Sequence, residues 1–269
     1  MKKKIIILSF IFIASLLAMP FTAHGQVDVD KLAYESFRAA YFPGDDVRWQ
    51  ARMEITDRND NVRTRELTIL RKNVGDDRQK YYSFFREPSD LRRMVFMVHT
   101  RPGEDDDRWL YMPAIDMVQR ITGRQKRNSF AGSDFTYEDM TGRFPEQDTF
   151  TYLGVDHLNG DTVDVLRGDP HDADLVEFSY YKTYIDRKTK LPLKGVFYTP
   201  GGDKHRTLTL EKWEMIDGHP TPIEQKAVNH RTGSQTVARM SEIKYDLGIP
   251  ERVFTERYLR RPPVPWIQP

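Results

Sequence analysis

The chain has 269 residues, no cysteine and a formal net charge of +1 at pH 7. The lack of cysteine excludes a disulfide framework and a cysteine-linked lipid anchor. The nearly balanced charge argues against a dedicated nucleic-acid-binding protein, which would carry a basic excess, and a chain of this length can bury a large core as a single domain.

The N-terminus has the three parts of a secretory signal peptide. Lys2–Lys4 are positively charged, Ile5–Leu17 form an apolar run, and Ala23–Gly25 place small residues before a cleavage site ahead of Gln26. The apolar run is shorter than the roughly 18 residues of a membrane-spanning helix. We therefore expect residues 1–25 to be a cleaved signal peptide, with an uncleaved anchor as the alternative. Removal of the signal peptide takes away three lysines and leaves the mature chain with a net charge of −2.

The mature chain is predicted to begin with a helix and to continue as a strand. Apolar residues recur at helical spacing between Asp28 and Tyr41, Asp28 is a suitable N-cap, and Pro43-Gly44 can end the helix. From Val47 to Ile55 the period changes to two, with apolar odd positions and polar even positions. This alternation is typical of a strand with one buried face.

The rest of the chain predicts a series of short strands. Turn signals such as Asn159-Gly160 and Asp217-Gly218 separate them. Because these strands do not alternate with helices, an antiparallel sheet is predicted rather than a parallel one. The predicted strands are Thr64–Arg71, Lys80–Arg86, Met94–Thr100, Trp109–Met112, Met117–Ile121, Phe150–Val155, Asp161–Arg167, Val176–Asp186, Pro192–Tyr198, Arg206–Met215, Thr221–Asn229 and Gln235–Tyr245.

The C-terminal part predicts a second helix and an extended tail. Pro250–Leu259 can form a short helix, and the prolines of residues 262–269 favour an extended conformation. Two helices cannot cover both faces of so large a sheet. We therefore expect residues 26–261 to form a curved antiparallel sheet that wraps its helices on a concave, partly filled apolar face. A fully packed core is the alternative.

The segment Asn128–Met140, with the sequence NSFAGSDFTYEDM, combines acidic and aromatic residues. Thr136 and Asp139 fit a capping box, and Phe135 and Met140 occupy the two positions of a hydrophobic staple. A single helical turn is therefore predicted. Its acidic side chains cap the backbone N–H groups and interact favourably with the helix dipole.

A catalytic interpretation of the same segment would use Asp134, Glu138 or Asp139 as acid and base. The sequence contains no HExxH, GxSxG or phosphate-binding motif. Glu104–Asp107 lacks the spacing of an EF-hand, and His171 has no second histidine nearby. We therefore predict no catalytic residue, no metal site and no cofactor.

Several motifs, taken in order, resemble a known protein family. They are FREPSD at Phe85–Asp90, WLYMP at Trp109–Pro113, VQRI at Val118–Ile121 and SFAGSDFTYED at Ser129–Asp139. Together they resemble the periplasmic outer membrane lipoprotein-sorting proteins, which are LolA-like, over nearly the whole mature chain.

This resemblance implies an open half-barrel of the LolA and LolB type with helices on its concave face and a cavity for acyl chains. It implies a non-lipidated periplasmic protein that contacts membranes transiently and works with an inner-membrane exporter of the RND or MMPL type. The family-motif loop contributes Ser129, Gly132, Ser133, Asp134, Tyr137, Glu138 and Asp139. Candidate cavity residues, which the sequence does not separate from ordinary core residues, are Trp49, Ala51, Met53, Ile55, Trp109, Tyr111, Phe130, Phe135 and Trp213.

The sequence thus predicts a carrier of lipids or lipidated proteins and not an enzyme. Each buried methylene contributes about 0.8 kcal/mol, so that even one acyl chain can supply several kcal/mol of binding. The alternative is an interaction protein whose own helices fill the cavity and whose Asn128–Met140 loop docks on a membrane exporter. A hydrolase that uses Asp134 or Glu138 is a third hypothesis.

Overall fold

The computed structural model describes residues 27–268, so the predicted signal peptide lies outside the described residues. Within this range no helix is long and apolar enough to cross a membrane. Helix α1 (Val29–Tyr41) begins after the predicted N-cap Asp28. The Asp28 carboxylate accepts a hydrogen bond from the backbone N–H of Lys31 at 3.1 Å, which satisfies one of the free N–H groups at the helix start.

One antiparallel sheet contains thirteen strands, in the order β6-β5-β4-β3-β2-β1-β13-β12-β11-β10-β9-β8-β7. A strand is found at each of the thirteen predicted places, and the mainly β, antiparallel class is confirmed. The strands are β1 (Asp46–Thr56), β2 (Val62–Asn73), β3 (Gln79–Glu87), β4 (Val95–His99), β5 (Asp107–Met112), β6 (Met117–Arg120), β7 (Asp148–Leu158), β8 (Asp161–Pro170), β9 (Tyr180–Asp186), β10 (Pro192–Tyr198), β11 (Lys204–Ile216), β12 (His219–Asn229) and β13 (Ser234–Tyr245).

Local sequence explains how neighbouring strands are joined. The two-residue turn between β7 and β8 has Asn159 and Gly160 at φ values of 52° and 95°. The turn between β11 and β12 has Asp217 and Gly218 at 50° and 82°. Two positive φ values in a row define the turn type that matches the twist of a hairpin, and Asn-Gly and Asp-Gly adopt it readily.

The two faces of the sheet bury different apolar clusters. On one face Leu67 and Ile69 of β2 belong to a cluster that includes Phe85 and Phe96. On the other face Leu70 belongs to a cluster formed with the C-terminal segment 247–268. Successive side chains of a strand point to opposite faces, so the alternation along β2 assigns its residues to both clusters.

The C-terminal segment differs from its predicted form and position. It contains a 3-10 turn at Glu251–Phe254, helix α2 (Arg257–Arg260) and helix α3 (Val264–Ile267). Ile267 is buried and its carbonyl accepts a hydrogen bond from Thr68 Oγ1 at 3.0 Å, so the predicted extended tail includes a helical turn that packs on the sheet. The segment covers the face opposite α1, whereas the sequence predicts both helices on one concave face.

The connection from β6 to β7, residues 121–147, joins the two edge strands of the sheet. We call it the crossing segment. Phe130 of this segment packs against Phe85 of β3 and Phe96 of β4, with ring centroids 5.6 Å apart in both pairs. Further along, Phe144 packs against Phe37 of α1 at 4.9 Å. The crossing segment therefore passes over the same face of the sheet that α1 contacts.

Candidate functional site

A cavity of about 370 Å³ lies between α1, the crossing segment and the sheet. Its wall includes residues of β1–β3 and of β9–β13, together with Ala33 and Phe37 of α1. Most of the lining side chains are apolar. We call the side of the sheet that lines this space the cavity face.

Five of the nine candidate residues lie on the wall of the cavity. Trp49, Ala51 and Met53 come from β1, and Phe130 and Phe135 come from the crossing segment. The odd positions of β1 reach the cavity because they share one face of the strand. Whether these side chains contact a lipid stays a prediction.

The other four candidates are not among the residues that line the cavity. Trp109 and Tyr111 of β5 pack on the opposite face against the C-terminal segment. Ile55 is buried near the end of β1, and Trp213 on β11 is 37% exposed. Alternation along a strand shows which residues share a face, but it does not show which face borders the cavity. That is why the sequence does not distinguish the aromatic residues of β5 from residues of the cavity wall.

Several residues of the cavity wall were not predicted from the sequence. Leu208 and Leu210 of β11 and Met240 of β13 line the cavity, as does Phe37 of α1. The signal was present for the two leucines, since they alternate with threonines in the run Thr207–Leu210. The contribution of α1 could be anticipated from its apolar stripe, but its position on the sheet could not.

Four charged residues of the wall, Glu138, Asp139, Arg143 and Arg206, form ion pairs. Arg206 Nη2 lies 3.1 Å from Asp139 Oδ1. Glu138 Oε1 lies 2.6 Å from the Nζ of the buried Lys126 and 3.3 Å from Arg143 Nη1. These pairs bind the crossing segment to the sheet and to itself. Arg71 on the wall donates to backbone carbonyls instead, and Lys226 has no acidic partner among the described residues.

The innermost pair joins the end of the crossing segment to β7. Arg143 Nε donates to both carboxylate oxygens of Asp148, at 2.9 and 3.0 Å, and the Tyr181 hydroxyl donates to Asp148 at 2.8 Å. Burial raises the pKa of Asp148 above its usual range, although Arg143 and Tyr181 favour the charged form. Burial also opposes the charge of Arg143, but Glu138 and Asp148 outweigh it and raise its pKa.

The family-motif loop is held to the sheet by its polar side chains. Asp134 accepts hydrogen bonds from the hydroxyls of Thr236, at 2.7 Å, and Ser234, both on β13. Within the loop, Ser129 donates to the carbonyl of Ser133 at 2.6 Å. Gly132 has a φ of 75°, which glycine adopts without strain.

The predicted capping contacts are also formed. The backbone N–H of Thr136 donates to the Asp139 carboxylate at 2.7 Å, and the N–H of Asp139 donates to the Thr136 hydroxyl at 3.2 Å. Together they precede a single 3-10 turn at Glu138–Met140. Tyr137 packs against Phe96 at 4.9 Å. The acidic residues of the loop thus stabilise the conformation of the loop and attach it to the sheet.

The acidic run that resembles a cation site is engaged by arginine. Arg108 Nη1 lies 3.0 Å from Asp105, and Arg108 Nη2 lies 2.5 Å from Asp106. Across residues 27–268, no cluster of histidine, aspartate and glutamate has an arrangement that could hold a metal ion.

A protein-family model with the description "Uncharacterized protein" matches residues 77–261, which is more than half of the chain. No curated protein matches the chain.

Solved structures share the fold over nearly their whole length. A DUF1329 family protein from Desulfovibrio piger is 25% identical, with a TM-score of 0.80, and the match covers 86% of this chain and 97% of that one. A candidate outer membrane lipoprotein-sorting protein domain from Vibrio parahaemolyticus is 28% identical, with a TM-score of 0.80 and coverage of 87% and 98%.

A LolA superfamily protein from Nitrosomonas europaea is 17% identical, with a TM-score of 0.67 and coverage of 87% and 100%. At this level of identity the likeness concerns the fold alone. It agrees with the resemblance that the sequence motifs indicate. The chain belongs to the family that the matching model describes, and its fold is similar to that of the outer membrane lipoprotein-sorting domain and of the LolA superfamily protein.

Proposed function

We propose that this protein is a periplasmic carrier that holds the acyl chains of a lipid or lipidated protein in its cavity. The observation that carries the proposal is the cavity of about 370 Å³, whose wall is mostly apolar and several of whose charged residues form internal ion pairs such as Arg206–Asp139. Such a space favours hydrocarbon, because an acyl chain leaves water without displacing any polar contact of the protein.

The position of α1 supports a sheet that curves around the helix as a half-barrel. Arg71 of β2 donates to the Tyr41 carbonyl at the end of α1 at 2.7 Å, whereas Leu32 and Ala33 pack with Leu166 of β8. Seven strand spacings of about 4.8 Å separate β2 from β8 in a flat sheet, or roughly 34 Å. A 13-residue helix is only about 20 Å long, so curvature lets one helix reach both strands.

In this proposal residues 26–261 form one carrier domain that follows a cleaved signal peptide at residues 1–25. The carrier meets membranes only transiently and acts by binding, with no covalent step. An inner-membrane exporter of the RND or MMPL type remains a predicted partner, and the motif resemblance alone supports it.

Native mass spectrometry of the mature protein, purified gently from periplasm and followed by lipid extraction, tests the proposal. We expect an added mass that extracts as lipid. Met240→Glu introduces a charge on the cavity wall and should remove the added mass. Met117→Glu makes the same change at a 42% exposed position on edge strand β6 and should retain it.

A protein that stays free of lipid after incubation with phospholipid and with lipopeptide would contradict carriage. It would favour the alternative adaptor role, in which the protein's own segments occupy the cavity. Equal lipid retention by the two methionine variants would show that lipid binds elsewhere.

A further inference from the structure

A group of tyrosine and basic side chains covers one surface of β8–β10. The rings of Tyr180 and Tyr198 stack 4.7 Å apart at an interplanar angle of 10°. Basic groups lie over the rings, with Arg167 Cζ 4.0 Å from the centroid of Tyr180 and Lys194 Nζ 5.7 Å from that of Tyr184. We call this group the lysine–tyrosine face, and its members are Arg167, Tyr180, Lys182, Tyr184, Lys194 and Tyr198.

The lysine–tyrosine face points away from the cavity. Tyr181 and Thr183 of β9 line the cavity, and they alternate with Tyr180, Lys182 and Tyr184. Paired residues of adjacent strands share a face, and Tyr198 and Lys194 of β10 pair with Tyr180 and Tyr184. A molecule bound to this surface therefore leaves the cavity wall untouched.

The positive charge of this face is only partly balanced. Arg167 pairs with Asp169 at 2.6 Å, but among the described residues neither Lys182 nor Lys194 has an acidic group within ion-pair distance. Lys204, which pairs in register with Tyr198, likewise has no acidic partner within the described range. The lysines thus form a basic surface that is interleaved with aromatic rings.

Elsewhere on the same side of the sheet many of the charges are paired. Arg239 of β13 lies between Glu54 and Glu224, at 2.7 and 2.9 Å. Arg52 of β1 lies 2.5 Å from Glu66 of β2. Arg239, Arg52 and their glutamates thus form a ladder of ion pairs across β12, β13, β1 and β2. Lys226 of β12 has no acidic partner among the described residues, but only at the β8–β11 end do several unpaired lysines, Lys182, Lys194 and Lys204, lie beside tyrosine rings.

We propose that the lysine–tyrosine face docks an acidic surface of a protein partner. Charge complementarity selects an anionic partner and accelerates its encounter, and tyrosine is enriched at the centre of protein interfaces. A bilayer is the poorer fit, because it would hold the cavity on the side away from the membrane. The face spans only a few residues on each of three strands, which is small for a stable complex, so the contact should be transient and sensitive to salt. The preference for a protein over a bilayer rests on the proposed function, whereas the charge and the aromatic content of the face do not.

Site-specific photo-crosslinking in the native cells tests the inference. The full chain carries p-benzoylphenylalanine in place of Thr207, which pairs with Val196 on the same side of the sheet. We expect cross-links to a protein segment in which aspartate and glutamate outnumber lysine and arginine, as mapped by peptide mass spectrometry. Adding Lys182→Glu with Lys194→Glu should lower the yield roughly tenfold or more.

A matched pair of charge reversals away from the face provides the control. Lys31 of α1 and Arg78, between β2 and β3, are exposed, with side chains 68% and 51% accessible, and Lys31→Glu with Arg78→Glu should leave the yield unchanged. Cross-links to non-acidic segments, no cross-link at all, or a yield insensitive to the Lys182 and Lys194 reversals would overturn the inference.

Vesicles of phosphatidylglycerol and phosphatidylcholine in equal amounts distinguish a bilayer from a protein. We expect no cosedimentation that depends on Lys182 and Lys194. Binding to these vesicles that the double reversal abolishes would assign the face to an anionic membrane and overturn the protein-docking proposal. Circular dichroism of each variant confirms that the sheet is retained.

Discussion

Arg71 shows how a single buried cation fixes a helix to the sheet. Its side chain leaves β2 and donates to the carbonyl of Tyr41 at 2.7 Å and to that of Gly44 at 3.4 Å. A positive charge is favourable at a helix C-terminus, where free carbonyls carry a partial negative charge. Burial lowers the pKa of Arg71, but the cluster of carbonyl acceptors replaces much of the water that the guanidinium loses.

Arg71→Met keeps most of the side-chain volume but leaves these buried carbonyls without their donor. We expect a loss of about 3 kcal/mol in the free energy of unfolding, measured by urea denaturation. The control is Arg52→Met, because Arg52 is half exposed and forms only surface ion pairs, which are worth less than about 1 kcal/mol. Equal losses in the two variants would show that Arg71 does not anchor α1.

Residues that act locally could be identified from the sequence, and residues that act at a distance could not. Asp28 caps a helix that begins at the next residue, and the Thr136–Asp139 contacts span three positions, so spacing predicts both. Arg206 meets Asp139 across 67 positions of the chain. No periodicity links such positions, and the sequence offers many other arginines that could have met the same carboxylate.

The strands were predictable as elements because turn signals separate many of them, and because Val47–Ile55 of β1 has a two-residue period. The crossing segment was predictable only in part. Its single helical turn follows from local capping, but its path from one edge strand to the other depends on the order of the strands in the sheet. Alternation shows that a strand has two faces, and it contains no information on which strand lies at an edge.

Buried ion pairs should hold the crossing segment over the cavity. Arg206 and Asp139 have side chains only 10% and 13% exposed, so their attraction is weakly screened. We expect a double-mutant cycle of Asp139→Asn and Arg206→Gln to give a coupling energy of about 1–3 kcal/mol in urea denaturation. Hydrogen exchange of the Phe130–Met140 amides should accelerate in each single variant.

The exposed pair Arg239–Glu224, with side chains 47% and 32% accessible, is the control for this cycle. Its coupling energy should stay below about 1 kcal/mol, and its variants should not alter exchange in the crossing segment. A coupling energy for Arg206 and Asp139 as small as that of the control would mean that apolar contacts alone hold the segment.

At the scale of the whole molecule, the two faces of the sheet are covered in different ways. The C-terminal segment packs against Leu70, Tyr82 and Met97 on one face, whereas α1 and the crossing segment border a cavity on the other face. The predicted elements indicate that two helices are too few to cover both faces of so large a sheet. The sequence does not show that one helical segment covers each face, because that arrangement depends on long-range packing.

A ligand that fills the cavity should stabilise the whole molecule, since binding to the folded state alone shifts the unfolding equilibrium. At a free lipid concentration of a hundred times Kd the gain is about 2.7 kcal/mol. For a domain of this size that corresponds to a rise of roughly 5–10 °C in the unfolding midpoint. We therefore expect calorimetry to show a lower midpoint after lipid extraction and recovery when phospholipid is restored. The Met240→Glu variant should show neither change, and Met117→Glu should show both. An unchanged midpoint of the native protein at saturating lipid would mean that the cavity stays empty or is closed by the protein itself.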